Sequence, residues 1–571
     1  MIKRLSPRLA APLFCAAATL LVFLPSLGLP LLNWDDAANL TNNPHWQGLT
    51  PSHLRWMFTT HFRGPYQPLS WLSYALDRAV WGADPLGYHL TNVLLHAANA
   101  ALACAAALLL LEKAFEGAPP LPSLAAPAAF AALAFSLHPL RVESVSWVTE
   151  RRDVLSGLFF LLALLAYLRE IPRRHPPRLR LTLVFFTLAL LSKATAVGLL
   201  WTLLAVDVYP LRRLPADPRR WNRPSARAAL LEKWPFALAA LLLGALNLRG
   251  FSTGDLQAGH YSALARLAVY AHGLGFYLVK TALPAGLSPY YYLPVHLRAL
   301  APRLLAGAAV FAAALGAALL TRRVAAAAAL LCYALILAPV GGLLQNGQQL
   351  AADRYSYLSC LPLALLAAAG LALLAARGRR LAAGLGAAML LSLSALTARQ
   401  QSFWSGDAAL WTRAVTVDPD DYLAQSNLAT TLFTSGDDLG ARAHYLQALR
   451  LKPSDAQALL NLGALEERHG DYTGALERYR AALAVDPGLL EAQNNAAVVL
   501  IKRGDWKAAA ALLESVAARN PDLAQARFNL GMLLSLHGRR QDGLPHLRRA
   551  LALDPSLKGR LPPGKFPELA H

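Results

Sequence analysis

Apolar residues run along this chain in long blocks, near 9–32, 90–111, 122–137, 154–168, 180–192, 195–211, 234–248, 304–320, 325–344, 357–376 and 381–398. Blocks of this kind predict membrane-crossing helices. Several fall short of the ~20 residues a crossing needs and must borrow from their neighbours. The stretch 264–283 is less apolar and contains Arg266, His272 and Lys280, so it is expected to be an interfacial or re-entrant helix. From Gln400 the chain turns polar and periodic. Pro recurs at 419, 453, 487, 521 and 555, and Gly436, Gly470, Gly504 and Gly538 keep the same 34-residue step, as do Asn427, Asn461, Asn495 and Asn529. The small residues Ala429, Gly463, Ala497 and Gly531 let paired helices approach, the following Gly ends the first helix, and the Pro marks the next turn.

Thirty-four residues is the tetratricopeptide period, and about four helix pairs are expected to stack into a superhelix with a concave surface. The fold class expected is therefore all-α: a polytopic transmembrane bundle of about eleven spans plus an interfacial helix over 1–399, then an α-solenoid of tetratricopeptide repeats over 400–571.

Composition agrees with a membrane location, with 56% hydrophobic residues, 15% charged residues and a mean hydropathy of +0.36. The net charge of +20 does not form one basic stripe, so a nucleic-acid partner is not expected. The cations gather between apolar blocks, at Arg169, Arg173, Arg174, Arg178 and Arg180, at Arg212, Arg213, Arg219, Arg220, Arg223 and Arg227, at Arg322 and Arg323, and at Arg377, Arg379 and Arg380. The positive-inside rule puts these, with the N-terminus, in the cytoplasm. The segments 33–89, 138–153, 249–303 and 345–356, and the repeats, then fall on the external face. The N-terminal apolar block is read as a retained helix, not a cleaved signal, because more spans follow. Cys15, Cys104, Cys332 and Cys360 lack metal-site spacing, and neither a disulfide framework nor a zinc site is expected.

Candidate chemistry lies in the external segments. Asp35 and Asp36 follow the first span. Adjacent carboxylates suit a general base with an orienting neighbour, although on residue type alone a solvated loop or helix cap is the better explanation. In His138–Asp153, helical geometry would bring Glu143, Glu150 and Asp153 to one face, within reach of Arg151 or Arg152. His138 is better explained as a cap or packing group. Arg354, beside Tyr355, can grip a phosphate or snorkel to lipid headgroups, and Lys193 offers a second cation. Tyr290, Tyr291 and Tyr292 are most simply an interfacial aromatic belt.

Taken together, Trp34-Asp35-Asp36, the His138-Pro139 to Glu143 segment leading to Arg152-Asp153, Ser192-Lys193, Arg354-Tyr355 and the 34-residue array resemble the transmembrane and tetratricopeptide-repeat O-mannosyltransferases and their bacterial relatives. These are similar to the type C glycosyltransferases. The resemblance implies transfer of mannose or a similar hexose from a polyprenyl-phosphate carrier to an acceptor hydroxyl, with inversion. It implies Asp36 as base with Asp35 orienting, and Arg354 with Lys193 or Arg152 on the donor phosphate. His138, Glu143, Asp153 and Tyr355 would support the acceptor or the site. The repeats, with Asn427, Asn461, Asn495 and Asn529 in their groove, would bind an acceptor protein. No cofactor is required, and a divalent metal between the carboxylates and the phosphate stays open. A bacterial inner membrane with periplasmic repeats is the expected location, with membrane lipids as partners. A non-enzymatic repeat scaffold for envelope complexes is the alternative.

Overall fold

The computed structural model describes residues 6–116, 124–171, 179–251, 261–294, 300–344 and 347–569. Arg173, Arg174, Arg178, parts of the segments 249–303 and 345–356, and the start of the apolar block at 122 lie outside them. The chain divides into two compact units, Met1–Val417 and Asp418–His571. The helix Arg379–Ser402, which runs across the expected boundary at residue 399, belongs to the first.

Among the described residues every apolar block of the first unit is mainly helical, but not every helix is a span. Among the described residues, Arg8–Gly28, Pro85–Ala114, Pro224–Gly250, Ala301–Leu320 and Arg379–Ser402 are long and apolar enough to cross a membrane. Two further candidates are bent pairs, Ala125–Ser136 with Pro139–Ser146 at 54° and Asp353–Ser359 with Leu361–Arg377 at 59°. Pro139 and Pro362 sit at the two breaks, where a missing N–H and a ring clash with the preceding turn stop a straight helix. The blocks near 180–192, 195–211 and 325–344 fold as the shorter apolar helices Arg180–Ser192, Ala194–Val208 and Val324–Leu337. The block at 154–168 lies in Arg151–Glu170, whose ends are charged. Length and composition thus support five spans, or seven with the bent pairs, where the sequence reading counts eleven. At 1.5 Å per residue the short helices cannot cover the ~30 Å of a hydrocarbon core by themselves.

The stretch expected to be interfacial is one continuous helix, Ala263–Ala282. It packs so tightly on Ala301–Leu320 that a Cβ at Gly275 would lie 1.9 Å from the Gly307 carbonyl oxygen.

The segment 138–150 is not the single helix that the one-face argument assumes. It breaks into short turns at 139–141, 142–146 and 148–150, with Trp147 extended between the last two. Irregular buried backbone must find hydrogen-bond partners. Asn92 donates to the Val145 carbonyl at 3.1 Å, and Tyr74 donates to the carbonyls of Val148 and Thr149 at 2.9 and 3.0 Å. The tyrosine run expected as a belt instead supplies a strand. Tyr291–Tyr292 pairs antiparallel with Gln349–Ala351, and the Tyr291 hydroxyl donates to Asp353 at 2.8 Å. Paired backbone and a carboxylate partner hold these rings more firmly than a lipid interface would.

The second unit is four antiparallel helix pairs, Tyr422–Ser435 with Asp438–Leu451, Ala456–Arg468 with Tyr472–Val485, Leu490–Lys502 with Trp506–Arg519, and Ala524–Leu536 with Arg540–Leu553. Gly436, Gly470, Gly504 and Gly538 take φ values of +88°, +79°, +84° and +85°, a conformation that penalises any Cβ, and this is why glycine recurs there. The Asp after each of the first three glycines caps the second helix, bonding Gly440, Gly474 and Ala508 at 2.9, 2.9 and 3.2 Å. The repeated asparagines are half-buried and partly committed to neighbouring repeats. Asn461 donates to Thr430 at 3.2 Å, and Asn529 donates to Asn494 at 3.0 Å.

Candidate active site

The two carboxylates that follow the first helix have opposite surroundings. Asp36 is 1% exposed and accepts three hydrogen bonds: from the Leu32 N–H at 3.0 Å, the Thr149 N–H at 3.0 Å and the Thr149 hydroxyl at 2.5 Å. Burial pushes its carboxyl up to about 6, and the Thr149 and Leu32 donors only partly offset this. Asp35 points outward with a third of its side chain exposed, and its nearest cation, Arg63, stands 3.7 Å away.

Thr149 and its neighbour Glu150 link this pair to the cations. Glu150 is completely buried and bonds Arg152, Lys193 at 3.0 Å and Arg354 at 3.3 Å. Burial would lift the Glu150 carboxyl, but these three cations overcome it and hold it well below the usual carboxylate range. Lys193 also bonds Asp153 at 2.7 Å. Arg354 clasps Glu143 through its guanidinium and its backbone N–H, the latter at 2.8 Å, and takes Gln349 at 3.0 Å. Arg152, Lys193, Arg354, Glu143 and Asp153 are therefore brought together as one network around Glu150. Arg151 turns away to Asp77, with Asn92 at 2.7 Å and the Tyr88 carbonyl at 2.6 Å.

Asp153, Lys193, Arg354 and Tyr355 line a small pocket whose remaining wall includes Ile336 and Leu358. The same two residues line the end of a much larger apolar groove of about 270 Å³. This groove follows Val324–Leu337 from Ala325 to Ile336 and Leu361–Arg377 from Leu361 to Leu373. At 1.5 Å per residue, each wall is roughly 16–18 Å long.

His138 is a cap. Its Nδ1 accepts from the Leu140 N–H at 3.2 Å and its Nε2 donates to the Thr281 carbonyl at 3.1 Å, which leaves no ring nitrogen for a substrate. Several site residues have no sequence signal. Thr149 gives none, and Gln349 shows its role only once the strand is formed. Arg141 is fully buried, donates to Ser356 at 2.6 Å, and has Nε and Nη1 without hydrogen-bond partners. Trp34 stacks flat on Trp147 at 4.5 Å, with Trp411 edge-on to it at 5.2 Å. Among the described residues no group of three or more His, Cys, Asp or Glu side chains is disposed to hold a metal ion.

A multi-helical apolar unit with buried ionic loops, joined to stacked helix pairs, defines a membrane protein with a tetratricopeptide array. Family models described as tetratricopeptide repeat match residues 393–456, 427–489 and 468–531. Among curated proteins the chain is similar to protein O-mannosyl-transferase tmtc2 of Xenopus laevis, 35% identical over 175 residues, or 29% of this chain and 19% of that protein. It is also similar to protein O-mannosyl-transferase Tmtc1 of Drosophila melanogaster, 35% identical over 181 residues, 32% of this chain and 19% of that protein. Protein O-mannosyl-transferase TMTC2 of Homo sapiens is 38% identical over 109 residues, 19% of this chain and 12% of that protein. Each match covers about a third or less of this chain, and the chain spans about a fifth or less of the length of these relatives. Solved structures with a likeness include the crystal structure of MamA, at 17% identity and TM-score 0.25 over 28% of this chain and 88% of that one. YrrB, a TPR protein with an unusual peptide-binding site, matches at 23% identity and TM-score 0.25 over 28% of this chain and 89% of that one.

Proposed function

We propose that the chain is an integral-membrane glycosyltransferase that moves a hexose such as mannose from a polyprenyl-phosphate carrier to a protein Ser or Thr hydroxyl on the external face, with the repeats holding the acceptor. The observation that carries this reading is the continuity between the cationic pocket and the apolar groove. A polyprenyl chain needs a long apolar surface that ends at a phosphate site, and Ile336 and Leu358 join those two surfaces here. Lys193 and Arg354 then exchange part of their carboxylate contacts for the donor phosphate, as guanidinium and ammonium groups do well in a water-poor site. The similarity to proteins named protein O-mannosyl-transferase supports mannose as the sugar and a protein hydroxyl as the acceptor.

In the transfer, the acceptor oxygen forms a bond to the anomeric carbon as the bond from that carbon to the carrier phosphate breaks. The electron pair leaves with the phosphate and the acceptor proton passes to a carboxylate. The burial pattern favours Asp35 over Asp36 for that proton, because a base must reach its substrate. Asp36, with both oxygens committed to Leu32 and Thr149, orients the loop as a charged anchor. These roles are the reverse of those the resemblance implies.

The test is sugar transfer by the purified chain with a panel of polyprenyl-phosphate sugars and a serine-containing acceptor, comparing the unmodified chain with Asp35→Asn and Asp36→Asn. Asp35→Asn is expected to lower kcat at least about 100-fold with an unchanged melting temperature. Asp36→Asn is expected to lower both, because an amide nitrogen would face one of the three donors. Turnover with no donor would reject the enzyme and favour the scaffold.

A further inference from the structure

The 34-residue period does not begin at Tyr422. Setting Asp438–Leu451 back by one period covers 404–417, and a helix stands there, Asp407–Val417. It has the register of the second helix of a repeat, and the helix before it is the long apolar Arg379–Ser402, of which only the end from residue 393 falls within the repeat match.

In the complete repeats the second helix turns two buried positions toward its own first helix. One is small: Ala441, Ala475, Ala509 and Gly543. The other is large: Tyr445, Tyr479, Leu513 and Leu547, all 0% exposed. Tyr479 and Leu547 press so close on Gly463 and Gly531 that a Cβ at either glycine would lie 2.7 Å from them. One period earlier these two positions are Asp407 and Trp411. Both are turned toward the loop after the first span. The Asp407 carboxylate accepts the Asn33 N–H at 2.9 Å, and Trp411 sits edge-on to Trp34 with ring centroids 5.2 Å apart. Arg413 adds a bond from Nε to the Leu287 carbonyl at 2.9 Å. The other face of the contact continues inward, since Trp34 lies on Trp147, two residues before the Thr149 that holds Asp36.

We propose that Asp407 and Trp411 are positioning residues for the transfer: this half repeat uses its helix-pairing surface as the seat of the loop Asn33–Asp36, and so fixes where the two carboxylates stand. The proposal rests on the reading of that loop as catalytic. The acid that replaces Ala or Gly at this position opens the first turn of Asp407–Val417, where a carboxylate is favoured, and from there it accepts the loop N–H.

The test uses the full chain with Asp407→Ala, Asp407→Asn and Trp411→Leu, the last introducing the residue of the third and fourth repeats. Tyr445→Leu, the same change within a complete repeat, serves as the control. Hydrogen exchange over residues 32–36 is expected to quicken in Asp407→Ala and Trp411→Leu, to return to normal in Asp407→Asn, whose amide oxygen still accepts, and to be unaffected by Tyr445→Leu. In the transfer assay, kcat per folded molecule is expected to fall about tenfold or more in the first two, with donor KM little changed. Unchanged exchange and kcat in both variants would overturn the proposal, as would an equal loss of kcat in Tyr445→Leu. Exchange that responds in a chain showing no turnover with any donor would overturn the catalytic reading of the loop while leaving its seat in place.

Discussion

At the scale of single residues, the two neighbouring carboxylates differ sharply in burial, and pH should reveal it. The Asp36 carboxyl is raised to about 6 from an ordinary value near 3.8, so the folded chain holds this proton more tightly than the unfolded one. Its contribution to stability is fully present below the unfolded value and is lost as pH rises through 6, by about 3 kcal/mol for a shift of two pH units. Activity should run the other way, with transfer failing as pH falls through about 6 because the protonated group no longer accepts all three bonds. Thr149→Val removes the hydroxyl donor that favours the charged form, and it should move this acid limb to higher pH; a pH–kcat profile of the variant checks it. None of this is legible from Trp34-Asp35-Asp36 alone, because Thr149, which supplies two of the three bonds, lies more than a hundred residues away and is placed by packing.

At the scale of elements, helix pairing follows from small residues and turn chemistry, and each can be tested separately. Gly531 is closed in by backbone as well as side chain, a Cβ there lying 2.8 Å from the Gly543 carbonyl oxygen and 2.7 Å from Leu547. Gly531→Ala should therefore destabilise the last pair by about 1–3 kcal/mol, read as faster hydrogen exchange over 524–553. The fourth turn has Arg539 where the others have a capping Asp, and its helix has no side-chain cap. Arg539→Asn should slow exchange over 540–553 by an amount corresponding to about 1 kcal/mol, since the exposed ion pairs it gives up contribute little. The 34-residue elements were readable because Gly, Pro and small residues act locally and repeat four times over. The breaks at Pro139 and Pro362 had a visible cause but an unreadable angle. The strand at Tyr291–Tyr292 had no period at all, as its partner at Gln349–Ala351 supplies the reason for it.

At the scale of the whole molecule, orientation and division of labour are the open quantities that experiment can fix. A reporter fused after His571 is expected on the external face, and a cytoplasmic signal would separate the repeats from the loops that the positive-inside rule puts outside. Removing Asp418–His571 at the division between the two compact units should preserve donor-lipid binding and abolish modification of a protein acceptor; loss of both would show that the array supports the first unit's fold. The half repeat changes what such a cut means. Since Asp407–Val417 belongs with the first unit, the periodic sequence and the physical partition part company at Val417, and all the complete 34-residue modules lie beyond it. A cut there removes only complete modules and keeps the contacts of Asp407 and Trp411 with Asn33 and Trp34, so hydrogen exchange over residues 32–36 is expected to be as slow in the shortened chain as in the full one.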